Sequence, residues 1–313
     1  MNASKSEVYF NSMDRRLKDD ILQVAGFKEG CLPFRYLGVP IQAGRIKKED
    51  CGALVEKIVS RIRGIDIRKL SYAGRLVLVN SVLMSLHTYW ATIFILPKSV
   101  IRRIECICRN FLWDGGSDYQ RSPLVSWSKV CLPTKECGLG VRNAEIWNKA
   151  AIAKLASWIY VQADRLWVQW VHHLYIKGTE WQDYRVAEGD SWGWKCFCRV
   201  KEVYADAFLN GVWKQRAADY TIVKGYEWLR VKGTKVSWSW HVWNSWVVPK
   251  HSFVAWIIRH ESLNTREKLY RFGISSTNLC WLCEDKTETH TQLLIYFRNV
   301  LIQSRYALCC ASG

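Results

Sequence analysis

"LVLVNSVLMSLHTYWATIFIL", residues 76–96, holds no charged side chain. A run of that length can span a bilayer, so its reading separates a membrane protein from a soluble helical one. Ser81, Ser85, Thr88 and Thr92 recur at i, i+4, i+7 and i+11, which puts four hydroxyls on one helical face. A lone membrane span gains nothing from a polar stripe. The spacing predicts a partly buried helix of a soluble domain, ending at Pro97, with no membrane partner.

The flanking sequence repeats the helical pattern. Residues 46–63 place Leu54, Val55, Ile58, Val59 and Ile62 on one face, and Gly64 closes the segment. Residues 98–113 carry Ile101, Ile104, Cys108 and Phe111, and residues 142–163 turn Ile146, Ala150, Leu155, Trp158 and Ile159 inward. "DGGSDYQRSP" is a loop. The first forty residues read as strands and turns, from "SEVYF" to "LPFRYLGVPI", punctuated by Pro33, Gly38 and Pro40. Tryptophan is dense between about 164 and 247, where a large apolar side chain points to core packing rather than to base stacking. Trp240, Trp243 and Trp246 step by three, which predicts a helical stripe. "KHSFVAWIIRHESLNTREKLYRFGI" predicts a helix pair. The expected class is mainly α with minor β (α+β): a helical thumb-like domain, a Trp-rich region and a small helical zinc-finger-like module.

Composition narrows the function. Lys plus Arg number 45 against 28 Asp plus Glu, giving +17 and a pI near 9.4. A chain this basic meets polyanions, and the excess is spread along its length rather than gathered in a tail. Twelve cysteines in 313 residues with no apolar leader at "MNASKSEVYF" imply reduced, intracellular thiols acting mostly as buried fillers, in the nucleus or cytoplasm.

Taken in order, "SKSEVYF", "LPFRYLGVPI", "LSYAGRLVLVNSVLMSLHTYW", "LPKSV", "FLWDG" and "GLGVRNAEIWNKA" resemble the C-terminal part of plant non-LTR (LINE-type) retrotransposon reverse transcriptases. The run "VPKHSFVAWIIRHESLNTREKLYRFGI", followed by "CWLC" and Glu288–Thr289, is similar to the zinc-binding domain of the same enzymes. The resemblance implies five segments: 1–45, remnant palm strands; 46–163, thumb; 164–235, Trp-rich connection; 236–300, degenerate zinc-binding-like domain; and 301–313, tail. It also implies what is missing. Copying RNA into DNA needs paired carboxylates that hold two Mg²⁺ ions, and in the family one pair precedes the "SKSE" phrase. Asp19–Asp20 in "LKDDIL" sit among Arg15, Arg16 and Lys18, an ordinary charged surface segment. "VYADAF" offers Tyr204-Ala205-Asp206, with Ala207 where the second carboxylate belongs. No catalytic residue is expected.

Nor does other chemistry emerge. "CGLGV", 137–141, has neither the spacing nor the Lys of a phosphate loop and reads as a turn. His172, His173 and His241 have no motif partner.

Cys280 and Cys283 have the C-x-x-C spacing of a zinc site. The resemblance places the third and fourth ligands, His and Cys, at positions occupied here by Gln292 and Phe297. His290 lies two residues from the expected place, and Cys309 or Cys310 could supply a fourth thiolate. The degenerate set is Cys280, Cys283 and His290, and no bound zinc is expected. Because metal binding supplies the folding free energy of such modules, poor order over about 275–313 is expected as well.

The thumb of the family grips nucleic-acid backbone. Here its basic residues are Lys57, Arg61, Arg63, Arg68, Lys69 and Arg75, with Lys57 and Arg61 sharing a helix face. The expectation is a non-catalytic remnant with weak, sequence-independent contact to RNA or DNA phosphates. Two alternatives are a co-opted interaction module built on the zinc-like end, and a fragment of an active RNA-directed DNA polymerase whose palm lies upstream.

Overall fold

A computed structural model describes residues 6–10, 13–42, 44–66, 69–118, 122–209, 220–281, 283–293 and 295. It is mainly helical with small sheets, as the periodicities predict. In chain order the first elements are β1 (Glu7–Val8), α1 (Arg15–Ala25), β2 (Lys28–Glu29), β3 (Phe34–Tyr36) and β4 (Val39–Ile41). Then come α2 (Gly52–Arg63), α3 (Tyr72–Leu78), a π-turn over Val79–Leu83, α4 (Met84–Ala91) and α5 (Lys98–Asp114). After α6 (Trp127–Val130) and a 3₁₀ turn at Thr134–Glu136 follow α7 (Ala144–Tyr160), α8 (Leu166–Val171), α9 (Trp192–Val203) and α10 (Ala205–Leu209). The last helices are α11 (Ile222–Leu229), α12 (Ser239–Val242), α13 (Pro249–Arg259) and α14 (Arg266–Arg271).

The chain forms two compact units, each assembled from separated segments. The first comprises Met1–Ala53, Trp90–Val100 and Asn148–Gly225. Its strands β1 and β2 pair in parallel, while β3 and β4 form a hairpin with Tyr36 opposite Val39. The hairpin turn puts Leu37 and Gly38 both at positive φ, 50° and 82°, which matches the twist of the strands. The aromatic side chains of this unit pack as a cluster around Trp181 and Trp194. Tyr175 stacks on Trp194 at 4.3 Å, and Trp194 donates its indole N–H to the Tyr184 hydroxyl at 3.0 Å. Lys201 lies 4.6 Å over the Trp181 ring and donates to the Tyr184 carbonyl at 2.9 Å. Core packing is what the Trp density encodes in this region.

The second unit comprises Leu54–Tyr89, Ile101–Trp147 and Tyr226–Gly313. Leu54, Ile58 and Ile62 of α2, Ile104, Ile107 and Phe111 of α5, and Phe253 and Trp256 of α13 are all buried in it. Tyr72 stacks on Phe253 at 5.4 Å, which ties α3 to α13.

Four details differ from the sequence reading. The segment before α2 turns rather than coils, so the helix starts at Gly52 and not at 46. An unexpected helix, α1, runs through "LKDDIL": Asp14 caps its N-terminus, accepting from the Arg16 N–H at 2.9 Å, and Gly26 closes it at φ 66°. The Trp240–Trp246 stripe does not form, because only Ser239–Val242 is helical there, and Trp240 and Trp246 are exposed.

The fourth concerns the uncharged run. It is helical and carries its hydroxyls outward, with Ser81 donating to the Val77 carbonyl and Ser85 to the Val82 carbonyl, each at 2.7 Å. Among the described residues no helix is long and apolar enough to cross a membrane. The helix stops at Ala91, not at Pro97, and buried Asn148 explains why. Its amide donates to the Ala91 and Phe94 carbonyls at 2.8 and 2.7 Å and accepts from the Leu96 N–H at 2.8 Å. Three backbone groups leaving the helix are satisfied by one side chain. Asn148→Leu would strand all three at about 1–3 kcal/mol each. We expect a loss of about 3–5 kcal/mol in urea unfolding; a loss below about 1 kcal/mol would show that water replaces the amide.

Candidate functional site

The basic set on the thumb-like segment belongs to the second unit. Lys57, Arg61 and Arg63 project from α2 and are exposed, with Lys57 and Arg61 one turn apart on one face and Arg63 pointing elsewhere. Lys69 is exposed and pairs loosely with Asp66 at 3.5 Å. Arg75 differs from these: its guanidinium donates to the Trp113 carbonyl at 3.3 Å and lies 5.4 Å from the Tyr72 ring centroid, which engages it in packing. Arg68 lies outside the described residues. The structure thus brings Lys57 and Arg61 together and leaves the others on separate directions.

The Cys pair sits in a knuckle. A bridge joins Leu279 to Thr287, the Cys280 N–H donates to the Lys286 carbonyl at 2.8 Å, and the Glu284 N–H donates to the Cys280 carbonyl at 2.8 Å. Glu288 accepts from the Arg266 N–H at 3.1 Å, placing a carboxylate at the start of α14 beside the cap supplied by Thr265. His290 Nε2 lies 3.0 Å from the Leu263 carbonyl. A carbonyl oxygen only accepts, so this nitrogen carries the proton and is turned to the α13–α14 loop. Gln292 donates its amide to the Cys283 sulfur at 3.3 Å. A four-ligand zinc site does not fit these residues: two thiols remain, the imidazole faces another partner, and an amide stands against one sulfur. Among the described residues no three His, Cys, Asp or Glu side chains are grouped to hold a metal. Phe297, Cys309 and Cys310 lie outside those residues. Among the described residues, Glu288, His290 and Gln292 hold the 283–293 segment through the hydrogen bonds just given.

Residues 220–296 match the family described as zinc-binding in reverse transcriptase. In a second comparison, 147 residues are 35% identical to an Arabidopsis thaliana protein named "Putative ribonuclease H protein", covering 46% of this chain. The two matches support a retrotransposon reverse-transcriptase C-terminal region. The chain spans 24% of that relative's length.

Two features of this chain escaped the sequence reading. One is a buried clasp. The Glu136 carboxylate, in the turn before "CGLGV", receives both outer nitrogens of Arg230 at 2.6 Å and the Gly233 N–H at 2.6 Å. These hydrogen bonds, the Arg230 pair foremost, hold its pKa down to about 2 against the opposing push of burial. The partners are 94 residues apart in sequence, and no short motif signals such a pair. The "CGLGV" turn beside it is a close approach, not a phosphate loop. A Cβ on Gly138 would stand 1.8 Å from the Leu132 carbonyl oxygen.

The other feature is a Cys–His contact. Cys137, at φ 65°, has its sulfur 3.3 Å from His260 Nε2. This is not a nucleophile and base. The same Nε2 lies 2.9 Å from the Cys137 carbonyl and so carries its proton there, while burial raises the thiol pKa and lowers that of the imidazole. The contact fixes the turn. The carboxylate candidates are no better placed: Asp19 and Asp20 lie exposed on α1, and exposed Asp206 adjoins buried Ala207.

Proposed function

We propose that this chain is a non-catalytic C-terminal portion of a retrotransposon reverse transcriptase that holds nucleic-acid backbone weakly and without reading sequence. The observation that carries the reading is the exposed pair Lys57 and Arg61 on one face of α2, flanked by exposed Arg63 and Lys69, in a chain of net charge +17. Cations on a rigid helix contact phosphates and carry no base information. A nuclear or cytoplasmic location fits such a partner. In this reading exposed Asp19 and Asp20 on α1, and exposed Asp206 beside buried Ala207, do not act as a paired metal-holding site.

In the same reading the C-terminal module is closed without zinc, by the amide of Gln292 on Cys283 and by the Glu288 and His290 contacts to the start of α14 and the loop before it. Purified chain should give no primer extension on an RNA template with Mg²⁺ or Mn²⁺. It should still retard duplex and hybrid of unrelated sequence with similar affinity. Metal-dependent extension that disappears on changing Asp19, Asp20 or Asp206 would favour the polymerase-fragment alternative.

A further inference from the structure

Helices α3 and α4 are joined by a π-turn at Val79–Leu83. A π-turn wedges one extra residue into the hydrogen-bond ladder, and such turns recur at functional sites. Here it stands beside a cavity of about 220 Å³, walled on one side by Asn80, Ser85 and His87 and on the other by Arg142 and Trp147. The far wall bends at Gly140, whose φ of 72° suits glycine and around which a Cβ would meet open space.

The chemistry of this wall is one-sided. Arg142 is exposed, lies 4.1 Å over the Trp147 ring, and has no ion pair among the described residues. No acidic side chain lines the cavity. His87 is 2% exposed, and neither ring nitrogen finds a partner of good hydrogen-bond geometry. Burial pushes its pKa down to about 4, against a smaller pull from the Met84 carbonyl, so the ring is neutral at physiological pH and offers one N–H. The indole N–H of Trp147, 6% exposed, is also without a partner. A buried donor left unmatched costs about 1–3 kcal/mol, and two such N–H groups, one on His87 and one on Trp147, lie behind the cavity wall.

We infer that this cavity binds a phosphate group, held by the Arg142 guanidinium and the Asn80 amide. A fixed cation with several N–H donors and no carboxylate suits a multiply accepting oxyanion. The volume lies below the roughly 300–1,000 Å³ of pockets for drug-sized ligands, so a single phosphoryl group is seated rather than a whole cofactor. The inference is independent of backbone binding by α2.

Calorimetric titration of the purified chain with inorganic phosphate tests it, followed by a nucleoside 5′-monophosphate and by single strands with and without a 5′-phosphate. Saturable binding of inorganic phosphate is expected, weakened about tenfold or more in Arg142→Gln, a loss of about 1.4 kcal/mol. The thermal unfolding midpoint should not change, because Arg142 is exposed. Tighter binding of the monophosphate would assign a free nucleotide as the source, whereas preference for the 5′-phosphorylated strand would assign a strand end. Asn80→Ala, an independent variant on the rim, should weaken phosphate as well. Absence of saturable phosphate binding at millimolar concentration, or affinity unchanged in both Arg142→Gln and Asn80→Ala, would overturn the site.

Discussion

Replacing Glu136 with Gln should lower the stability of the second unit by about 3–5 kcal/mol, the range for removing one partner of a buried ion pair. Gln keeps the shape but takes from Arg230, whose side chain is 9% exposed, its buried counter-ion. Arg230 also meets Glu227 at 2.7 Å, but that carboxylate is 46% exposed and substitutes poorly. Urea unfolding monitored by Trp fluorescence measures the loss.

The pH dependence has a defined sign. The folded-state pKa of Glu136 is held near 2, below its ordinary value of 4.5. Its contribution is therefore complete above the ordinary value and is lost as pH falls from about 5 toward 2. The wild-type chain should lose more stability over that window than the Glu136→Gln variant. A variant that loses under about 1 kcal/mol, with an unchanged acid limb, would show that the pair behaves as a solvated surface contact.

The second large effect concerns the metal. Purified under reducing conditions, the chain should carry well under one zinc per molecule. Changing Gln292→His and Phe297→Cys together should restore the two ligands whose positions the family resemblance implies, alongside Cys280 and Cys283. Structural zinc of this kind contributes about 10–16 kcal/mol of apparent binding free energy at pH 7, so the double variant should bind stoichiometrically and melt much higher with metal than without. Gln292→His alone should do far less, because three ligands leave the fourth position to water. Gln292→His also removes the amide that now contacts the Cys283 sulfur, so without zinc that variant should be less stable than the parent. Stoichiometric zinc in the unchanged chain, lost on His290→Ala, would mean that a shifted ligand set operates.

Much of the fold was legible because the helices bury through simple periodicity. Ile101, Ile104, Cys108 and Phe111 are all buried on α5, as their spacing requires. The hydroxyl stripe of the uncharged run was legible for the same reason. Helix α1 was not, because it buries no residue. Its start and stop signals, Asp14 and Gly26, were present, but the apolar side chains between them are not buried. The end of α4 was hidden in Asn148, a single polar residue 52 to 57 positions beyond the backbone groups it satisfies. Long-range polar contacts of this kind leave no local pattern, and the Glu136–Arg230 clasp is another.

The candidate site divides similarly. Lys57 and Arg61 follow from i, i+4 spacing, whereas the engagement of Arg75 by Trp113 and Tyr72 depends on tertiary packing. Gln292 and Phe297, at the positions where the family resemblance implies His and Cys, were legible in the sequence. That Gln292 turns its amide onto Cys283, and His290 its proton onto Leu263, required coordinates. The cavity at the π-turn had no sequence signal, since Asn80, His87, Arg142 and Trp147 share no motif.

Backbone binding is tested most directly by the salt dependence of affinity for a duplex of arbitrary sequence. Each phosphate neutralised releases counterions, and five contacts give a slope of log K against log salt of about −4.5. Affinity should then fall several-hundred-fold between about 50 and 200 mM salt. Changing Lys57 and Arg61 together to Gln should remove about two units of that slope and weaken binding to all sequences alike. A slope that stays the same in the double variant, or an affinity that depends strongly on base sequence, would contradict backbone binding by this face.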